Sequence, residues 1–130
     1  MKLLLDTCCI IWAISQPAAL SQTAKTSLTA DEAEIHVSAI SVAEIACGVE
    51  RGRIVIDRHW KKWFRHYVSL NKWRVDSIDL DIMEEAYSLP ETFHADPADR
   101  IITATSRLKN NTLLTADRNI LSYPHVNAIW

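Results

Sequence analysis

The chain is short of glycine, with two in 130 residues, and has no stretch rich in Pro, Gly or Ser. There is no linker at which to divide it, so residues 1–130 read as one domain able to bury a single core. Its three cysteines are an odd number without metal-ligand spacing, which argues against a disulfide framework or a structural zinc site. Cys8, Cys9 and Cys47 read instead as reduced core thiols of a cytoplasmic protein. No apolar run is long enough to cross a membrane, and Asp6 interrupts the one that loosely imitates a signal peptide. Neither sign of charge dominates. A net charge of −2 gives no global pull toward nucleic acid, so any such binding must come from a local patch. Repeats and low-complexity segments are missing too. What is present is 48% hydrophobic residues, the composition of a compact, helix-rich globule.

Strand and helix patterns alternate along the chain. Lys2–Leu5 is an apolar strand ending in Asp6-Thr7, followed by a helix over Cys8–Ser15. Ser21 caps a second helix to Ala30, and Ile35–Val37 is a short strand. Ser41-Val42-Ala43-Glu44 has capping-box spacing and opens a helix that ends before Gly52. Asp57–Leu70 is amphipathic, Arg74–Ile78 strand-like, and Leu80–Leu89 helical up to Pro90. Asp96 is an N-cap and Pro97 the first residue of a helix broken at Asn110-Asn111; Thr112–Thr115 is a buried strand, and Asn127–Trp130 adds an edge strand. Such alternation implies βαβ units and a mostly parallel sheet.

Four acids fall at equivalent places. Asp6 and Asp117 each follow an apolar strand, and Glu44 and Asp99 each lie in the first turn of a helix. Singly, each has an ordinary explanation as a turn, a capping residue or an acid favoured by the helix dipole. In a parallel sheet, however, strand C-ends and the following helix N-ends share one edge, so all four can converge. A cluster of that kind repels itself unless protons or cations neutralise it, and hard oxygen donors suit Mg²⁺ or Mn²⁺. Such ions support in-line displacement at a phosphodiester.

Asp6-Thr7 after a short N-terminal strand, Ser41-x-x-Glu44, His94-x-Asp-Pro-x-Asp99-Arg100 and Thr115-x-Asp117, in this order and spacing, resemble a PIN domain, most nearly the VapC-like branch of type II toxin–antitoxin systems. The resemblance spans essentially the whole chain and implies a three-layer α/β/α sandwich around a mostly parallel sheet of four to five strands. It implies a Mg²⁺- or Mn²⁺-dependent endoribonuclease with Asp6, Glu44, Asp99 and Asp117 as its catalytic, metal-binding acids. Asp6 and Asp99 are the expected direct ligands; Glu44 and Asp117 would hold a second ion or metal-bound waters. Thr115 would orient the Asp117 region and Thr7 would orient Asp6. The expected partners are an RNA substrate, a cognate antitoxin protein that covers the cleft, a second copy in a homodimer, and possible higher toxin–antitoxin assemblies. Cys8 departs from the pattern, since related sequences often carry His after Asp-Thr.

The segment from Arg58 to Arg74 holds six of the fourteen Lys and Arg residues. Arg58, Lys61, Lys62 and Arg65 are candidates for RNA contact, since an acid cleft alone repels a polyanion. The alternative is a solvated face, with Trp60, Trp63, Phe64, Tyr67 and Val68 at helical spacing turned to the core. Two further functions bear on the whole chain. One is a PIN-like RNA- or protein-binding module without turnover, which the four intact acids do not favour. The other is a Mg²⁺-dependent phosphatase, but an aspartyl nucleophile wants an acid two residues on, where Cys8 stands.

Overall fold

The computed structural model describes all 130 residues. Five strands form one parallel sheet: β1 (Lys2–Leu5), β2 (Glu34–Ser38), β3 (Arg74–Asp76), β4 (Thr112–Leu114) and β5 (Ala128–Ile129). Their order is β3-β2-β1-β4-β5, so β1 is central and the connections reverse direction on either side of it. In open parallel sheets that reversal, between β1 and β4, is where strand ends leave a crevice for ligands.

Seven helices cover the sheet: α1 (Thr7–Ser15), α2 (Gln22–Thr29), α3 (Ile40–Glu50), α4 (Trp60–Leu70), α5 (Leu80–Ala86), α6 (Pro97–Lys109) and α7 (Arg118–Leu121). Successive strand side chains point to opposite faces. Leu5, Val37 and Leu114 accordingly join a core with Ile10, Ile45, Trp63 and Phe64, while Leu4 and Leu113 pack with Ile102, Ile120 and Tyr123 on the other face. Helices over both faces of the sheet make the three-layer α/β/α sandwich.

Several boundaries differ from the sequence expectation. α1 begins at Thr7 because Asp6 itself is the N-cap. α4 begins only at Trp60, with the His59 ring capping it through the Lys61 N–H, so residues 57–59 lie outside it. β3 stops at Asp76 and α5 at Ala86. Ser41 does not form a capping box. The chain turns into α3 directly from β2, and the Ser38 hydroxyl accepts from the Ile40 N–H at 3.1 Å, leaving Ser41 inside the first turn. The cysteines are not all core thiols: Cys9 is buried and its Sγ donates to the Leu114 carbonyl, but Cys8 and Cys47 are exposed.

Candidate metal centre and active-site cleft

Local chain chemistry places each acid. Asp6 leaves β1 in extended conformation and caps α1, its Oδ1 accepting from the Thr7 N–H at 2.8 Å. Its Oδ2 accepts from the Thr115 hydroxyl at 2.6 Å. The same hydroxyl oxygen accepts from the Asp117 N–H at 3.0 Å, so one buried threonine ties the end of β1 to the turn after β4. Asp117 is no loose turn residue. It caps α7, accepting from the Asn119 and Ile120 N–H groups. Asp96 caps α6 by accepting from the Asp99 N–H at 2.9 Å, and Pro97 fills the first helical position, where a missing donor costs nothing. Arg100 anchors that helix start, donating to the Ala86 and Phe93 carbonyls at 3.0 Å each.

Thr7 serves Asp6 through its backbone N–H only. Its hydroxyl donates to Glu44 and lies 2.9 Å from the Ser41 hydroxyl. Ser41 and Thr7 thus brace Glu44, the role that replaces the capping box.

Asp6, Thr7, Glu44, Asp96, Pro97, Asp99 and Asp117 line one cleft of about 760 Å³. Five carboxylates face it: Asp6, Glu44, Asp96, Asp99 and Asp117. Two triads bring their ligand atoms within 4.8 Å of one another, Glu44 with Asp96 and Asp99, and His94 with Asp99 and Asp117. Asp99 belongs to both. Asp6 belongs to neither; it is 7% exposed and each of its oxygens already accepts one hydrogen bond. His94 Nε2 stands 3.2 Å from Asp99 Oδ2 but is not aligned to hydrogen-bond with it.

The electrostatics follow from this crowding. The Asp99 carboxyl is pushed up to about 8, first by burial and then by Asp6, Asp96, Asp117 and Glu44. Burial also raises Asp6, against the Thr115 and Thr7 hydrogen bonds, and raises Glu44, against the Thr7 hydroxyl. Although the residue is largely exposed, partial desolvation of its thiol in the cleft and the neighbouring acids push Cys8 up to about 11, so it faces the cleft as a neutral thiol. Oxygen donors around one elevated carboxyl, with a histidine nitrogen at the rim, form a donor set that a hard divalent cation fits.

Residues 3–126 match the PIN domain family. The chain is a PIN domain. Among curated relatives, it is 32% identical over 122 residues to Ribonuclease VapC22 of Mycobacterium tuberculosis, covering 94% of this chain and 92% of that one. Among solved structures, it resembles VapBC2 of Rickettsia felis bound to a promoter DNA fragment, with a TM-score of 0.72, 17% identity and 100% and 99% of the two chains covered. A toxin–antitoxin complex of Klebsiella pneumoniae gives a TM-score of 0.68 at 22% identity, covering 98% and 96%.

All four acids expected from sequence reach the cleft of this PIN domain, and Asp96 joins them; His94 lines the neighbouring hollow and comes to Asp99 and Asp117 from there. The candidate RNA-contacting residues Arg58, Lys61, Lys62 and Arg65 do not line it; they lie on the exposed side of α4 and before it. Arg58 pairs with Asp57 at 3.1 Å and sits over the Tyr67 ring. The buried members of the Trp-rich stripe are Trp63 and Phe64. Two cleft residues escaped sequence reading, Arg51 and Arg53. The signal for Arg51 is the stripe Glu44, Cys47, Gly48, Arg51, spaced i, i+3, i+4, i+7 along α3 to its C-cap; Arg53, in the turn beyond, has no periodic signal.

Proposed function

We propose that residues 1–130 act as one PIN nuclease unit: a Mg²⁺- or Mn²⁺-dependent endoribonuclease toxin that a cognate antitoxin restrains. The observation that carries this reading is the convergence of the acids on Asp99 at the sheet's reversal point. The likeness to a protein named as a ribonuclease supports it, as does the likeness to VapBC and other toxin–antitoxin assemblies. An antitoxin covering the cleft and pairing of the toxin into a homodimer belong to the same reading.

Asp99, with Glu44 and Asp96 on one side and Asp117 and His94 on the other, would hold the cation, and Asp6 would ligate through the lone pairs its two hydrogen bonds leave free. When bound, the cation supplies a Lewis acid that activates water for in-line attack on a phosphodiester and offsets charge on the leaving oxygen. The protein's own part is orientation. Thr115 and the Thr7 N–H fix Asp6 from both oxygens, and Thr7 holds Glu44, so the donors are set before substrate arrives.

The test is RNA cleavage by the purified chain, freed of co-purifying partner, in Mg²⁺, in Mn²⁺ and in EDTA, beside Asp6→Asn and Asp99→Asn. Asn keeps the helix cap, so Asp6→Asn should still fold, at the cost of the acceptor that the Thr115 hydroxyl uses; circular dichroism of the variant checks this. Defined cuts that need metal and vanish in both variants are expected. Cleavage at the parental rate by either variant would overturn the site.

A further inference from the structure

The cleft presents five carboxylates to a substrate that is itself a polyanion. Arg51 and Arg53 are the only cationic residues lining it. Neither guanidinium makes an ion pair or hydrogen bond within the chain, whereas Arg58, Arg74, Arg100 and Arg107 are all engaged with carboxylates or carbonyls. Arg51, the C-cap of α3, lies seven residues beyond Glu44, about 10 Å along the helix axis.

The turn that carries the two arginines is fixed to the cleft wall. Arg53 and Ile54 both donate their N–H groups to the Gly48 carbonyl, at 2.8 and 3.1 Å. Gly52 between the arginines takes the left-handed backbone, with φ of +71°. Ile54 folds back over Gly48 so closely that a Cβ there would stand 2.3 Å from its Cδ1. This bracing holds Arg51 and Arg53 in the wall of the same cleft as the acids, with both side chains unpaired.

We propose that Arg51 and Arg53 bind backbone phosphate of the RNA strand lying in the acid cleft. The proposal rests on the nuclease reading above for the identity of the strand. The planar guanidinium suits phosphate bidentately. These contacts offset the repulsion that the acids exert on substrate and hold the strand's register against them; they take no part in bond cleavage.

The experiment is the salt dependence of binding to a short single-stranded oligoribonucleotide, by fluorescence anisotropy, in the Asp99→Asn background so that the probe survives. Neutralising two phosphates on a single strand contributes about 1.4 to the slope of log K against log salt. Arg51→Ala with Arg53→Ala should therefore flatten the slope by about 1.4 and weaken binding about tenfold at physiological salt. Arg51→Lys with Arg53→Lys should keep most of the slope. In the cleaving parent, the alanine pair should raise KM and leave kcat within about twofold, as loss of uniform binding does. Both side chains are exposed, so the melting temperature should not move. Lys61→Ala with Lys62→Ala, outside the cleft, is the comparison. An unchanged slope for the arginine pair, or a larger change at the lysines, would overturn the assignment. Arginines that serve an antitoxin alone give that unchanged slope. A parent chain that cleaves no RNA would sink the nuclease reading while the slope still decides the phosphate contact.

Discussion

Asp99 is the residue on which the site balances. An unfolded aspartate titrates near 3.9, while in the fold burial and four neighbouring acids push this one up to about 8. Between those values the folded state holds more protons than the unfolded state, so stability falls as pH rises from about 4 to about 8. The metal-free chain should melt at a lower temperature at pH 8 than at pH 5. Asp99→Asn removes the titrating group. The variant should melt above the parent at pH 8, with the difference shrinking toward pH 4. Calorimetry in EDTA reads this directly; a gap that stays constant with pH would assign the cost to another group. Asp6 and Glu44 are raised in the same direction by burial, so they add to the parent's decline and leave a residual slope in the variant. Thr115 shows how one residue couples two acids. Its hydroxyl both donates to Asp6 and accepts from the Asp117 N–H, and leaving either group unsatisfied in the buried site costs about 1–3 kcal/mol.

At the scale of elements, α3 and the turn after it form a unit locked by Gly48 and Ile54. Alanine is the better helix former by up to about 1 kcal/mol, yet its Cβ would displace Ile54, and overpacking costs about 1–3 kcal/mol. Gly48→Ala should therefore destabilise in urea, and Ile54→Ala alone should also cost by lost packing. The pair together should recover stability, since only the outer Ile54 atoms clash, giving a favourable coupling of about 1 kcal/mol or more in a double-mutant cycle. Additive costs would mean that the turn is not held by this contact. The same element marks where sequence pattern stops being readable. Strands β1 and β4 and helix α6 were legible because apolar runs, Asp-Pro at the cap and Asn110 in the left-handed conformation are local signals. The capping-box spacing at Ser41 misleads because Ser38, a residue on the strand, competes for the helix start, and only the tertiary turn decides between them. The four acids could be placed because strand ends and helix starts share an edge. Asp96 is placed by the same logic as the cap, and His94 falls beside the cluster in sequence, but how closely the two approach Asp99 depends on how residues 87–96 wrap around Arg100. The density of basic residues singles out α4, but density says nothing about which face meets the cleft; Arg51 and Arg53 do so with only two charges.

Over the whole molecule, the topology concentrates acidic charge that composition conceals. The chain carries a net charge of only −2, yet five of its sixteen acids face a single cleft. Parallel pairing of all five strands makes this possible, because every strand C-end points to the same edge. β5 contributes from the far side, its Ile129 carbonyl receiving the Thr115 N–H and so holding the residue that ties Asp6 to Asp117. The fold is thus strained electrostatically where it is most interconnected, and a cation that relieves the strain should stabilise the entire domain. A ligand that binds only the folded state, at a hundred times its Kd, adds about 2.7 kcal/mol. For a chain of this length that is a rise in melting temperature on the order of 10 °C. Ligation requires ionised carboxylates, so the cation must displace the proton that Asp99 retains below about pH 8. The rise produced by a fixed concentration of Mg²⁺ or Mn²⁺ should then be larger at pH 8 than at pH 5.5, and binding at pH 7 should release protons. Thermal shift across that pH range, with proton release read from calorimetry in two buffers of different ionisation enthalpy, tests both. In Asp99→Asn the shift should be small at every pH. A shift of parental size in that variant would mean that the cation binds without the carboxyl common to both triads, and the centre would have to be sought elsewhere in the molecule.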